Sequence, residues 1–373
     1  MADGGRAGVV DLAASIGLGL FCRAHRRHRS EKPRRMPSKS PAAYVRGGGY
    51  FERPQIEMQT AHAWRSVADM RRTTVALFAC FATLLPGACH TETSPVCPGS
   101  DVTEPLLCDR PVNVSTPLNY NENQAYPLLV ELHGYASTVD GVDRLFGLRQ
   151  TAAERGFLFV APDGTRDETN LQFWNATDGC CNLFNSGTDD SSYLAAVLRD
   201  TKQRYRVDPN RIYVVGHSNG GFMAYRLACD HAEELAAVVS VAGATWLDEA
   251  KCHPQSPVSV LQVHGDQDGI IHYDGGRFAS QLALYPSARE TVAQWAKHNR
   301  CSSGLNPRSG TFDFDSNTDG DESKIEQYSA CSQSAVELWT LRGGEHFPAF
   351  TAAWREQLFG FLLAHPKSNS PTQ

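Results

Sequence analysis

The chain has 373 residues, of which 41% are hydrophobic and 20% charged, a composition that excludes collagen-like and disordered classes and can bury one substantial core. The net charge of −6 hides an asymmetry: residues 1–69 carry 12 Lys and Arg against 6 Asp and Glu, leaving 23 against 35, about −12, for the remainder. An acidic body excludes nucleic acid and anionic membrane surfaces as its partners, because both are held by clustered Lys and Arg.

Residues 1–69 show neither helical periodicity nor strand alternation and read as an upstream extension outside the mature protein; the basic stretch 23–35 lies within it. Residues 70–89 read as an export signal. Arg71 and Arg72 precede an apolar run at 73–85, followed by Pro86, Gly87, Ala88 and Cys89. That run is too short to span about 30 Å of hydrocarbon, which needs about 20 residues. The segment resembles a bacterial lipoprotein signal, although Pro86 stands where leucine is usual. A lipid on Cys89 is the sole membrane contact expected, and the location expected is extracellular or the cell envelope.

Residues 90–123 are rich in Pro, Thr and Asn and read as an entry segment with an edge strand or two. One α/β domain is expected over 124–367, with 368–373 as a tail. Apolar runs predict strands at 128–132, 157–161, 212–215, 237–241, 258–263 and 336–341. Amphipathic stretches between them predict helices near 142–155, 191–205, 221–230, 289–299 and 352–365, with Asp190 or Ser191 capping the second. This alternation predicts a doubly wound, mainly parallel sheet with helices on both faces. Two connections are long, 163–190 and 302–324, and the adjacent Cys180 and Cys181 are expected to pin the first.

Of the 11 cysteines, Cys22, Cys80 and Cys89 fall before the body. The remaining eight, Cys97, Cys108, Cys180, Cys181, Cys229, Cys252, Cys301 and Cys331, form an even set that in an exported chain implies up to four disulfides. Their pairing stays open among 105 connectivities. With no CxxC pair, a structural zinc site is not expected.

The strongest motif is Gly216-His217-Ser218-Asn219-Gly220, set between an apolar strand and a helical pattern. Such a G-x-S-x-G turn exposes its serine at a tight strand-to-helix corner, and the partners of that serine follow in the order acid, then histidine. Ser218 is the candidate nucleophile. After the strand at 258–263 comes His264-Gly265-Asp266-Gln267-Asp268, where carboxylates stand at a strand's C-terminal edge; Asp268 is the candidate acid and Asp266 the alternative. After the strand at 336–341 comes Gly343-Gly344-Glu345-His346, and His346 is the candidate base, with His272 weighed behind it. His231, His253, His298 and His365 read as surface or core histidines. The N–H groups of Asn219 and Tyr135, the latter in the loop after the first parallel strand, are the candidate oxyanion donors.

The runs at 128–134, 173–181, 207–214, 216–221 and 343–348 together resemble the family of secreted polyhydroxybutyrate depolymerase-like and feruloyl esterase-like hydrolases, over residues 112–365. The resemblance implies an α/β-hydrolase fold stapled by disulfides, a catalytic triad of Ser218, Asp268 and His346, and Trp174 near the cleft as a substrate contact. It also implies a Cys301–Cys331 bridge. The histidine loop departs from the usual GGGHTWP by carrying Glu345 and Phe347, and an acidic neighbour is expected to raise the pKa of His346.

Asp315, Asn317, Asp319, Gly320 and Glu326 satisfy a calcium-loop spacing. No helices are expected to flank it and Glu322 occupies a usually apolar position, so an ordinary acidic turn is the preferred reading. No cofactor or metal is expected. The expected activity is hydrolysis of feruloyl or acetyl esters of plant polysaccharide, or of short 3-hydroxybutyrate polyesters, by a monomer acting on ester substrates. A serine peptidase and a non-catalytic hydrolase-fold binding protein are the alternatives.

Overall fold

The structure, a computed structural model, describes residues 110–302 and 304–368. The export-signal and upstream readings, with Cys89, Cys97 and Cys108, lie outside the described residues.

In chain order the strands are β1 (Val114–Ser115), β2 (Tyr126–Leu132), β3 (Leu158–Val160), β4 (Thr165–Arg166), β5 (Gln172–Phe173), β6 (Val207–His217), β7 (Ala237–Val241), β8 (Ser259–Gly265), β9 (Asn306–Pro307), β10 (Ser323–Gln327) and β11 (Val336–Leu341). The helices are α1 (Val139–Phe146), α2 (Leu148–Glu154), α3 (Asp190–Arg204), α4 (Asn219–Asp230), α5 (Ala288–His298) and α6 (Ala352–Ala364). Nine strands form one sheet in the order β1-β3-β2-β6-β7-β8-β11-β10-β9. From β3 to β11 every neighbouring pair is parallel, while β1, β10 and β9 join antiparallel at the two edges. β4 and β5 form a separate hairpin.

The sheet lies between two cores. Leu128, Val130 and Leu132 of β2 pack on one face with Leu194 of α3, Phe222 of α4 and Trp295 of α5. Leu129 of the same strand packs on the other with Phe146 of α1, Leu148 of α2 and Trp354 of α6. Residues with alternate side-chain directions are thus buried on both sides, which is why these strands read as unbroken apolar runs. This sheet order, with helices on both faces, is the α/β-hydrolase fold. The chain moves outward from β2 to β3 on one side and from β6 through β7 and β8 to β11 on the other. The crevice beyond the C-terminal ends of β2 and β6 is therefore the switch point where such sheets bind ligands.

Three local expectations are corrected. The single helix expected at 142–155 is broken at Gly147, whose φ of +66° caps α1 in the left-handed region. The cap of α3 is Asp189, whose side chain accepts from Ser192 N–H. Asp190 is instead fully buried, accepting from Arg110 Nη1 (2.7 Å), Thr165 Oγ1 (3.1 Å) and Asn175 N–H (2.7 Å). Disulfides join Cys180 to Cys181, Cys229 to Cys252 and Cys301 to Cys331. Because Cys180 and Cys181 bond to each other, they do not pin the 163–190 connection to the body; the hydrogen bonds on Asp190 do. Among the described residues no helix is long and apolar enough to cross a membrane.

Candidate active site

β6 ends at His217 and α4 starts at Asn219, leaving Ser218 at the corner with φ +53° and ψ −119°. A left-handed φ is costly for a residue with a Cβ and persists only where the surroundings hold it. The glycines make the corner through close approach: a Cβ on Gly216 would collide with the Gly220 carbonyl, and one on Gly220 with the carbonyls of Leu132 and His133. Ser218 N–H donates to Val241 O (2.8 Å), anchoring the corner to β7.

Asn219 holds the neighbouring loop by its side chain. Its Oδ1 accepts from Trp174 N–H (2.7 Å) and its Nδ2 donates to Trp174 O (3.0 Å). Trp174, expected at the cleft as a substrate contact, is 0% exposed, with its Nε1–H donating to His133 O (2.9 Å). It is a buried post beneath the loop that carries Gly134 and Tyr135. The N–H of Asn219 stands in the first turn of α4, where no intrahelical acceptor exists. The Tyr135 N–H has no hydrogen-bond partner among the described residues. Tyr135 Oη donates to Asp167 (2.7 Å); burial and this bond push its hydroxyl up to about 12.

His346 follows β11, and its Nδ1 lies 2.7 Å from Asp268 Oδ2. Asp268 Oδ1 accepts from Ile270 N–H (2.8 Å) and Ile271 N–H (2.9 Å). Burial pushes the Asp268 carboxyl up, but the imidazoles of His264 and His346 beside it outweigh burial and hold the group well below the usual carboxylate range. Asp266 is half-exposed and accepts from Gly343 N–H (2.7 Å), so it braces the turn leading to His346 and does not touch the imidazole. His272 Nδ1 meets the Asp268 carbonyl (3.2 Å) and does not line the cavity at Ser218. Glu345 is exposed, and the carboxylate bonded to His346 is that of Asp268.

Ser218 and His346 line the same cavity, about 480 Å³, with Gly134, Tyr135, Ala136, Ser137, His217, Ile270, Phe278 and Phe347. Its walls are largely apolar, with the Tyr135 and Phe278 rings edge to face at 6.3 Å and Phe347 60% exposed at the rim. Sequence reasoning missed His217, which sits inside the G-x-S-x-G motif yet is buried against the His346 loop: its Nε2 lies 2.9 Å from His346 O. Burial first, and the nearby His346 second, lower its pKa to about 3, so it stays neutral and donates to that carbonyl. His264, quoted in the acid motif without a role, lies 3.4 Å from Asp268 Oδ2.

In the acidic segment, Glu326 stands on β10, paired with Arg289 (2.5 Å) and Lys324 (3.1 Å), while Asp315 Oδ1 accepts from Asn317 N–H (3.1 Å) and Ala349 N–H (2.7 Å). These carboxylates are engaged inside the fold and do not converge. Among the described residues no group of three or more His, Cys, Asp or Glu is placed to hold a metal.

The family model described as "Putative esterase" matches residues 103–304. "Putative esterase NocK" of Nocardia uniformis subsp. tsuyamanensis is 32% identical over 149 residues, 40% of this chain and 42% of its own length. Feruloyl esterase B of Piromyces equi is 28% identical over 246 residues, 64% of this chain and 42% of its own length. The chain thus spans about two fifths of these two relatives. The structure of an acetyl xylan esterase from Aspergillus awamori is similar with a TM-score of 0.49 and 17% identity, covering 70% of this chain and 98% of that one. With the family model covering more than half of its residues, this chain belongs to that esterase family.

Proposed function

We propose that the protein is a serine carboxylic-ester hydrolase that works through an acyl-enzyme. The observation that carries the reading is the buried 2.7 Å pair of Asp268 and His346, whose imidazole faces the same cavity as Ser218 on its strained corner. With Nδ1 engaged by Asp268, His346 has Nε2 free to take the proton from Ser218 Oγ as it attacks the ester carbonyl. The oxyanion is held by the N–H groups of Asn219 and Tyr135, donors set in place before the charge develops. His346 returns the proton to the leaving alcohol, and water then releases the acid by the same path.

Aromatic acyl esters are the favoured substrates, supported by the rings of Tyr135, Phe278 and Phe347 around the cavity and by the name of the Piromyces relative. Acetyl esters of plant polysaccharide and short 3-hydroxybutyrate esters are the other members of the class. In this reading residues 70–89 direct export, with Cys89 as a lipid site, and the body acts as a monomer, so intact-mass analysis of exported protein should show everything before Cys89 or nearby removed, and retained residues 1–69 would overturn it.

The test is labelling with a fluorophosphonate probe, followed by rates on feruloyl, acetyl, butyrate and peptide substrates. Wild type should be labelled and should hydrolyse esters, and Ser218→Ala should abolish both. Labelling that persists in Ser218→Ala, or turnover of peptides alone, overturns the proposal.

A further inference from the structure

A line of buried polar side chains runs from the helix behind the serine to the acid. Tyr225 on α4 donates to Gln262 Oε1 (2.7 Å), and Gln262 Nε2 lies 2.8 Å from Gly243 O and 3.0 Å from His264 Nδ1. His264 Nε2 lies 2.8 Å from Ile271 O and 3.4 Å from Asp268 Oδ2. All four side chains are buried, and the ring of Tyr273 closes over His264 edge to face at 5.6 Å.

The direction of every proton in this line follows from two backbone carbonyls, which can only accept. Gly243 O requires the nitrogen of the Gln262 amide, so its second N–H points at His264 Nδ1, which must be an unprotonated acceptor. Ile271 O requires a proton on His264 Nε2. The histidine is therefore neutral; its one N–H donates to Ile271 O, and the same nitrogen stands 3.4 Å from Asp268 Oδ2, turning the positive end of its N–H dipole toward that oxygen. On the acid, Oδ1 is filled by the Ile270 and Ile271 N–H groups, and among the described residues Oδ2 has His346 at 2.7 Å and His264 at 3.4 Å beside it.

We infer that His264, fixed as its Nε2–H tautomer by Gln262, is a positioning residue that holds the Asp268 carboxylate in the rotation where Oδ2 meets His346. This rests on the reading of Asp268 and His346 as the acid–base pair. Without the His264 imidazole, one side of a buried carboxylate oxygen loses the polar group beside it. The carboxylate then turns or takes up a proton, and a buried acceptor left unmet is costly. Misplacement of a catalytic group by about 1 Å costs on the order of 10²-fold in rate.

The experiment compares His264→Leu, His264→Gln and Gln262→Leu in the full chain, with Asp268→Asn as control. Readouts are kcat and KM on one ester, the far-downfield proton resonance of His346 Nδ1–H, and thermal melting. His264→Leu should lower kcat on the order of 10²-fold, leave KM within about twofold, and shift or broaden the resonance. His264→Gln, whose amide still carries a donor, should recover much of both, and Gln262→Leu should fall between. If His264→Leu does not fold, Gln262→Leu carries the same test. The inference is overturned if the folded variants keep wild-type kcat and resonance while Asp268→Asn is inactive. It is equally overturned if lost activity only tracks the unfolded fraction. An active Asp268→Asn removes the underlying reading, and this inference with it.

Discussion

Asp266 and Asp268 lie two residues apart after β8, yet they face different groups, and the difference sets what each substitution should do. Asp268→Asn keeps the shape but offers His346 Nδ1 an amide, favouring the wrong tautomer; the corresponding change in a serine protease costs on the order of 10⁴ in kcat. Asp266→Asn retains an oxygen for Gly343 N–H and should change kcat only slightly. Steady-state rates on one ester, with circular dichroism to confirm folding, decide between them. His217 makes a separate prediction about pH. Its imidazole titrates near 6.5 when unfolded and at about 3 when folded. Between those values the unfolded chain binds the extra proton, so stability is intact above about 6.5 and is lost as pH falls toward about 3. The slope from this group is at most about 1.4 kcal/mol per pH unit. His217→Gln, which keeps a donor for the His346 carbonyl, should flatten that part of the curve in urea unfolding; an unchanged slope means another group titrates there.

The strand-to-helix corner was legible because its constraints are local: two glycines allow close backbone approach, and the flanking apolar and helical patterns identify β6 and α4. What holds the corner in register with the oxyanion loop was not legible, since Asn219 reaches Trp174 across 45 residues of sequence. Asn219→Ala leaves the buried N–H of Trp174 without a partner and its C=O with Ala176 N–H alone, which should cost about 1–3 kcal/mol. It should also lower kcat by loosening both candidate oxyanion donors. Chemical denaturation and kcat measured together test this, and an unchanged midpoint argues against the clamp.

Two disulfides close substantial loops in the whole molecule, Cys229–Cys252 with a separation of 23 residues and Cys301–Cys331 with 30. Each should stabilise by about 3 kcal/mol through loss of unfolded-state freedom, whereas Cys180–Cys181 encloses no loop and should contribute little of that kind. Replacing Cys301 and Cys331 by Ala should therefore lower the urea midpoint clearly more than replacing Cys180 and Cys181. Equal losses from the two pairs would show that the vicinal bridge stabilises by some other route.

Periodicity by itself determined the six parallel strands and, apart from the break at Gly147, the helices between them, because burial on both sheet faces writes each strand as a continuous apolar run. The G-x-S-x-G turn and the chain order of acid and histidine likewise singled out Ser218, Asp268 and His346 before any coordinates. Only the tertiary structure decided that Trp174 is a buried post and not a wall of the cleft, since an aromatic residue in a long loop looks the same in either place. The same holds for Asp190, which reads as a helix cap but is drawn inward by Arg110 from 80 residues away. The roles of His217, Gln262 and His264 also emerged only there: a histidine's tautomer is set by which donors and acceptors surround it, and those are supplied by backbone carbonyls of Gly243, Ile271 and His346 that no side-chain pattern records.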